Sequence, residues 1–299
     1  VSAPLSIAVL GIGGIGSTFA YHLARAGHDV TAVARPGSLR LQQLQRDGGI
    51  VRHTGERAEV RVTGELDEEA AYDLVVVTLL APQVDTVLPA LARSKARAVQ
   101  LMGNMLDPER PRDAVGAERC SFGMPFVMAT VDGDGKLHAK LNPGQRSLHG
   151  DRRWVELFEK AGLPSAFEAD MPLWLRCHAP VGASFESIAV AGMRRGGGAS
   201  WAEAMTVARG MRAGFAVVKA LGHRLYPASK ARMAACPTFV LAGMLWSVSR
   251  VTSFRELLAT GVKECRALVD ALAAAAETAT PALPTQAAAL RAMKPDDPA

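Results

Sequence analysis

The chain has 299 residues, 49% of them hydrophobic and 21% charged. That is a globular composition, long enough to bury its own core and, at about 150 residues per domain, to form two domains. Gly (28) and Pro (17) stay near ordinary usage, which excludes collagen-like and low-complexity chains. The net charge of +5 and pI near 9.2 come from basic residues interspersed with acids, as at Arg255 and Glu256. A nucleic-acid binder would gather its bases on one stripe, so the excess suits an anionic small molecule instead.

The cysteines, Cys120, Cys177, Cys236 and Cys265, are too far apart in sequence for a zinc or dithiol motif, and no metal site is expected. Free buried thiols in a reducing compartment are expected. Residues 1–10 lack the basic start and long apolar core of a signal peptide. No apolar run reaches the roughly 18 residues of a membrane span. A cytoplasmic protein with no membrane partner is expected.

In chain order, residues 5–10, 29–34, 74–78 and 98–101 are short Val/Ile/Leu-rich runs without polar alternation, the pattern of buried parallel strands. Residues 17–26 and 83–92 between them carry helical spacing, so the first half reads as βαβ units. Between Ser121 and Gly150 the turn residues 131–135 divide two β-like stretches, an antiparallel finish to the domain. Residues 151–161 form a helix stopped by Gly162 and Pro164. From Asp170 the pattern is mostly helical, clearest over 202–221, 227–235, 238–249 and 262–276, with Gly196–Gly198 as a loop. The fold class expected is α/β: an N-terminal Rossmann-type dinucleotide-binding domain, residues 1–168, followed by an all-α domain, residues 169–299. Without a long linker, the two are expected to pack around a cleft. The Ala-rich helical half makes a homodimer plausible.

The segment Gly11-Ile12-Gly13-Gly14-Ile15-Gly16 directly follows the first strand and opens a helix. Gly11 permits the tight turn, Gly13 lets backbone approach a pyrophosphate, and Gly16 lets helix pack on strand. The helix N-terminus offers unpaired N–H groups and a partial positive charge. An NAD site usually places an acid at the end of the second strand; here Asp29 stands at its start and Arg35 follows its end. A guanidinium there suits a 2′-phosphate, so the expected cofactor is NADPH.

With these motifs in order, the chain resembles the ketopantoate reductase (2-dehydropantoate 2-reductase) family along nearly its whole length. Residues 79–83 (LLAPQ) resemble the family's L-K-A-x-Q, 102–105 (MGNM) stand where it has Q-N-G, 172–176 (PLWLR) resemble its W-x-K, and 260–264 (TGVKE) its late glutamate segment. The resemblance implies an NADPH-dependent reduction of an α-keto acid, with a lysine protonating the nascent alkoxide. It implies cofactor contacts from Gln83, Asn104 and Glu264, and substrate contacts from Thr252 and Ser184. The family lysine is Arg176 here, the next asparagine is Pro180, and the lysine of L-K-A-x-Q is Leu80. Arginine stays protonated, so Arg176 binds or polarises rather than donates.

His178 is the other candidate donor, since histidine titrates near neutrality; it is otherwise a packed or solvent-facing residue. On a helix the two point about 200° apart, so both cannot readily serve one site unless Pro180 distorts the helix. Glu264 is either a cofactor contact or a solvated helix-face acid, Gln83 either a contact or a first-turn residue, and Asn104 either a contact or a turn residue. The function expected is reduction of a small 2-oxo acid. The alternatives are a non-catalytic NADPH-binding paralogue, which would keep the turn and lose the donor, and an opine-type dehydrogenase.

Overall fold

The computed structural model describes residues 3–142 and 144–296. The chain divides into two compact units, Val1–Gly103 with Pro108–Met171, and Asn104–Asp107 with Pro172–Ala299. A four-residue loop inside the first half of the sequence thus folds with the second unit.

In the first unit the order is β1 (Ser6–Leu10), α1 (Gly14–Arg25), β2 (Asp29–Val33), α2 (Leu39–Asp47), β3 (Gly49–Val51), β4 (Arg57–Glu59), β5 (Arg61–Thr63), β6 (Leu74–Val77), α3 (Ala81–Arg93), β7 (Val99–Met102), α4 (Glu109–Val115), β8 (Cys120–Met124), β9 (Met128–Val131), β10 (Leu137–Lys140), β11 (Ser147–His149), α5 (Arg152–Lys160) and β12 (Ser165–Phe167). Eight strands form one sheet in the order β12-β11-β8-β7-β6-β1-β2-β5. All its pairs are parallel except β8 with β11.

The four expected core strands are present, and β1 and β6 are buried almost throughout, as uninterrupted aliphatic runs require. The antiparallel finish is only partly as expected. The β9–β10 hairpin forms at the turn of residues 132–136, but β8 extends the parallel sheet. Phe19 of α1 and Phe158 of α5 meet edge to face at 5.0 Å in the core over the sheet.

The second unit is α6 (Met171–Arg194), α7 (Trp201–Ala220), α8 (Ala228–Ala235), α9 (Thr238–Val248), α10 (Thr252–Leu258), a 3-10 turn at Ala259–Gly261, α11 (Val262–Thr278) and α12 (Pro284–Ala292). Its core is aliphatic and small: Ala204, Ala208, Met211, Leu245, Val269 and Leu272 are buried together. Pro180 does not break α6. Its ring packs where α7 has Gly214; a Cβ there would stand 2.7 Å from Pro180 Cβ. The cysteines are free thiols, Cys177 and Cys265 buried, Cys120 and Cys236 only partly so. Among the described residues no single helix is long and apolar enough to cross a membrane, and none cluster as metal ligands.

Candidate functional site

The first part of the site lies at the carboxyl end of β1, where the sheet runs to β6 on one side and β2 on the other. In parallel α/β sheets such a point opens the crevice that takes ligands. Gly11 ends β1 with φ +90°, a conformation that disfavours any side chain. Gly16 is held by contact: a Cβ there would lie 2.3 Å from Gly11 O and 2.5 Å from Thr78 Oγ1. Thr78 Oγ1 donates to Gly11 O at 2.7 Å and ties β6 to the turn. A Cβ on Gly13 would meet nothing within 4 Å, so the turn is open on that side.

Gly13 is also the N-cap of α1, which has no side-chain cap and no acid in its first turn. An uncapped helix end beside open backbone fits a phosphate. Ile12 is buried and Ile15 partly buried; they contribute packing on either side of the open glycine. Gly14 is excluded from carrying a side chain for another reason. Its Cβ would fall 2.2 Å from Ala129 O on β9, so the hairpin crosses the start of α1.

Arg40 escaped the sequence reading. Its guanidinium donates to Ile12 O at 3.0 Å, Gly135 O at 2.9 Å and Ser17 Oγ at 2.9 Å, joining turn, hairpin and α1. Burial pulls its pKa down to about 10, still charged at neutral pH. Arg35 is exposed just past β2. Asp29, at the other end of that strand, is paired with Arg61 at 2.6 Å. Gln83 Oε1 accepts the Leu80 N–H at 3.2 Å and caps α3, so this atom serves its own helix.

The second part of the site lies within the helical unit. Asn104 Nδ2 donates to Glu264 Oε1 at 2.8 Å, from the 104–107 loop to the first turn of α11. Glu264 is therefore not a solvated surface acid; burial raises its pKa, opposed by the Asn104 side-chain and backbone N–H groups. Glu186 on α6 stands beside it, with its carboxyl carbon 3.3 Å from where a Gly261 Cβ would be. Burial, then the Glu264 charge, pushes Glu186 up to about 9, so it is protonated at neutral pH. Two atoms here are buried and unpartnered, Asn104 Oδ1 and Glu186 Oε2.

Two turns earlier on α6, His178 stacks on Trp174 at 4.5 Å. Its Nε2 lies 3.8 Å, and Asn104 Oδ1 3.4 Å, from where a Cβ on Gly182 would sit. His178, Gly182 and Glu186 thus share one face with Asn104 and Glu264. Lys230 of α8 donates to Trp174 O at 2.9 Å, with its Nζ 3.5 Å from the indole centroid.

The other sequence candidates lie on α6 and α10. His178 does not titrate near neutrality. The ring keeps a partly accessible edge but sits in dense surroundings, and burial, then Lys230, pull its pKa to about 3. A histidine neutral at pH 7 is no imidazolium donor. Arg176 lies on a different side of α6, buried beside Asp107, away from the His178 face. Ser184 is fully buried; its hydroxyl donates to Pro180 O at 2.7 Å and abuts Met293 Sδ at 3.7 Å, so it offers nothing to a substrate. Thr252 opens α10 on the exposed surface, where its Oγ1 accepts from Arg255 at 3.2 Å.

Glu186 and Lys230 were missed. The legible signal for Glu186 was a single acid in an otherwise apolar helical stretch, eight residues from His178 and so on nearly the same face. Lys230 had none, because its partner Trp174 is 56 residues away.

The glycine turn at the switch point of a parallel sheet, followed by an all-helical unit, defines a Rossmann-type dinucleotide-fold protein. Residues 7–148 match the family model described as ketopantoate reductase PanE/ApbA, and over that stretch the chain is similar to that family. Solved structures extend the likeness of fold to nearly the whole chain. The PanE/ApbA family ketopantoate reductase of Ralstonia eutropha JMP134 is 17% identical, with 96% of this chain and 98% of that one covered and a TM-score of 0.67. The 2-dehydropantoate 2-reductase of Methylococcus capsulatus is 18% identical, with coverages of 97% and 96% and a TM-score of 0.63. A D-mandelate dehydrogenase in complex with NADH is 14% identical, with 97% of each chain covered and a TM-score of 0.70. No curated protein matches the sequence significantly.

Proposed function

We propose that the protein is an NADPH-dependent reductase that converts a small 2-oxo acid to the 2-hydroxy acid. The open, uncapped glycine turn at the end of β1 carries this reading, because its glycines leave backbone bare where a pyrophosphate would lie. Arg35 is the residue for the 2′-phosphate; among the described residues no carboxylate pairs with it. Bound there, the dinucleotide would supply a hydride. The resemblance implies further cofactor contacts from Asn104 and Glu264, which bond each other within the helical unit. The loss of the family's lysine at Arg176 and its asparagines at Pro180 and Ser184 favours a 2-oxo acid other than ketopantoate.

The test is NADPH oxidation at high protein concentration over ketopantoate and a panel of 2-oxo acids. D-Mandelate with NADP⁺ serves as the reverse assay. Saturable turnover of any one supports the reading; tight NADPH binding without turnover of any would replace it with a non-catalytic dinucleotide-binding protein. Arg35→Ala should lower the NADPH-to-NADH affinity ratio about tenfold or more, the worth of a charge-assisted phosphate contact. An unchanged ratio would exclude Arg35 as the 2′-phosphate residue.

A further inference from the structure

We propose that Arg40 is the positioning residue of the dinucleotide turn: its guanidinium takes the Ile12 carbonyl, so that the turn meets the 5′-phosphate of the adenosine half with N–H groups and positive charge rather than with bare oxygen. This rests on the dinucleotide reading of the glycine turn above and on the first unit alone; it needs no reductase step.

A phosphate approaching backbone meets two kinds of polar group. N–H groups attract it and carbonyl oxygens repel it, so a phosphate-binding turn must dispose of its oxygens. From Leu10 to Gly14 each oxygen is taken by a donor of the protein. Leu10 O accepts from Thr78 N–H at 2.9 Å, and Gly11 O from Thr78 Oγ1 at 2.7 Å. Gly13 O accepts from Ser17 N–H at 2.9 Å, and Gly14 O from Thr18 Oγ1 at 2.8 Å. Ile12 O, in the middle, has Arg40 Nε at 3.0 Å and the Ser17 hydroxyl at a longer 3.4 Å. The N–H groups of Gly14, Ile15 and Gly16 precede the first bond of α1, which is the one from Ser17, and so stand ready for a ligand.

Arg40 is placed by α2. Ser38 caps that helix by accepting the Leu41 N–H, and Arg40, Gln43 and Arg46 follow at three-residue spacing on one side of it. They donate to three consecutive carbonyls of the β9–β10 turn: Gln43 Nε2 to Gly133 O at 2.9 Å, Arg46 to Asp134 O at 2.7 Å and Arg40 to Gly135 O at 2.9 Å. Of the three, Arg40 goes on to the glycine turn, through Ile12 O and Ser17 Oγ. A planar guanidinium can hold three acceptors in fixed directions; an ammonium on a flexible stem cannot. Arg35, in the loop that leads into α2, is exposed. The two arginines thus divide the adenosine half between them. Arg35 serves the 2′-phosphate directly, and Arg40 serves the 5′-phosphate through the backbone it holds.

Two nucleotides separate these roles. Adenosine 2′-phosphate and adenosine 2′,5′-bisphosphate differ by the 5′-phosphate alone. The ratio of their dissociation constants on the intact chain, by displacement of NADPH, reads what that phosphate gains. The wild type should prefer the bisphosphate. Arg40→Met should reduce the preference about tenfold while adenosine 2′-phosphate binds within about twofold of wild type. Arg35→Ala should weaken both nucleotides and leave the ratio as it was. Gln43→Ala loosens the same hairpin without touching the glycine turn. It should lower the urea midpoint and leave the ratio unchanged. Arg40→Lys keeps the charge but not the fork, so its ratio should fall between those of wild type and Arg40→Met; it serves if the methionine variant does not fold.

An unchanged ratio in Arg40→Met would overturn the assignment and leave Arg40 a brace for the hairpin, as would an equal drop in Gln43→Ala. A wild type that binds neither nucleotide nor NADPH is a different result: it removes the dinucleotide reading, and the assignment with it.

Discussion

Four glycines in one turn differ in what a methyl group would meet, and that difference separates folding from binding. At Gly16 an added Cβ would strike Gly11 O, so Gly16→Ala should cost about 1–3 kcal/mol, the usual penalty of forced overpacking. At Gly13 it would strike nothing, so Gly13→Ala should leave the urea midpoint unchanged. If a pyrophosphate lies over that turn, the same variant should weaken NADPH binding by tenfold or more in a titration. Equal loss of stability in both variants would show that the turn is only a packing device. The roles of Gly11, Gly13 and Gly16 could be argued from the motif because a positive φ, an open helix start and the approach of Gly16 to Gly11 O are local, although Thr78 also stands against Gly11 and Gly16. That of Gly14 could not, because its neighbour is Ala129.

At the scale of the element, local pattern predicts strands and helices well where burial is uniform, and badly where it is not. The strands β1, β2, β6 and β7 were legible as apolar runs, whereas β3, β4 and β5 are three-residue pieces, the last two opening on the exposed Arg57 and Arg61. A buried polar link between elements was also invisible. His149 on β11 lies against Gln100 of β7 at 2.8 Å and Ser165 of β12 at 3.2 Å, and burial lowers its pKa to about 4. Its folded pKa is below the value of 6.5 for an unfolded histidine, so the unfolded chain binds the extra proton first as pH falls. Stability is full above pH 6.5 and is lost toward pH 4. Between pH 6.5 and 5 the loss from this residue is on the order of 2 kcal/mol. Urea unfolding at both pH values should show it, and His149→Gln should flatten the dependence; an equal slope in the variant would mean that other groups dominate.

At the scale of the whole molecule, the chain's order and the fold's order disagree at one place. Residues Asn104–Asp107 belong with the helical unit, though they lie in the first half of the sequence. Asn104 bonds Glu264 there, and Asp107 stands beside Arg176. A chain cut after Met171 therefore strands both contacts on the wrong fragment. The separately expressed fragment 172–299 should melt below the corresponding transition of the intact chain, because Glu264 loses the buried Asn104 amide and the buried Arg176 loses the Asp107 carboxylate. An unchanged melting temperature would show that the loop adds nothing to the helical unit. The second candidate site cannot be assembled from either half of the sequence alone, which is why sequence reasoning placed Asn104 and Glu264 only through resemblance and never paired them.

The sequence by itself determined the parallel sheet, the glycine turn and the helical second half, because each is written in residue spacing that acts over a few turns of chain. It also places Arg176 where the family that the chain resembles has a lysine. Only the tertiary structure decided what surrounds each side chain of α6. Whether Arg176, His178, Ser184 or Glu186 faces the open side of α6 depends on what packs against each side of that helix. Burial by distant segments then sets their charges: His178 stays neutral to well below the pH at which a free imidazole gains its proton, and Glu186 keeps its proton at neutral pH, where a free carboxyl is ionised.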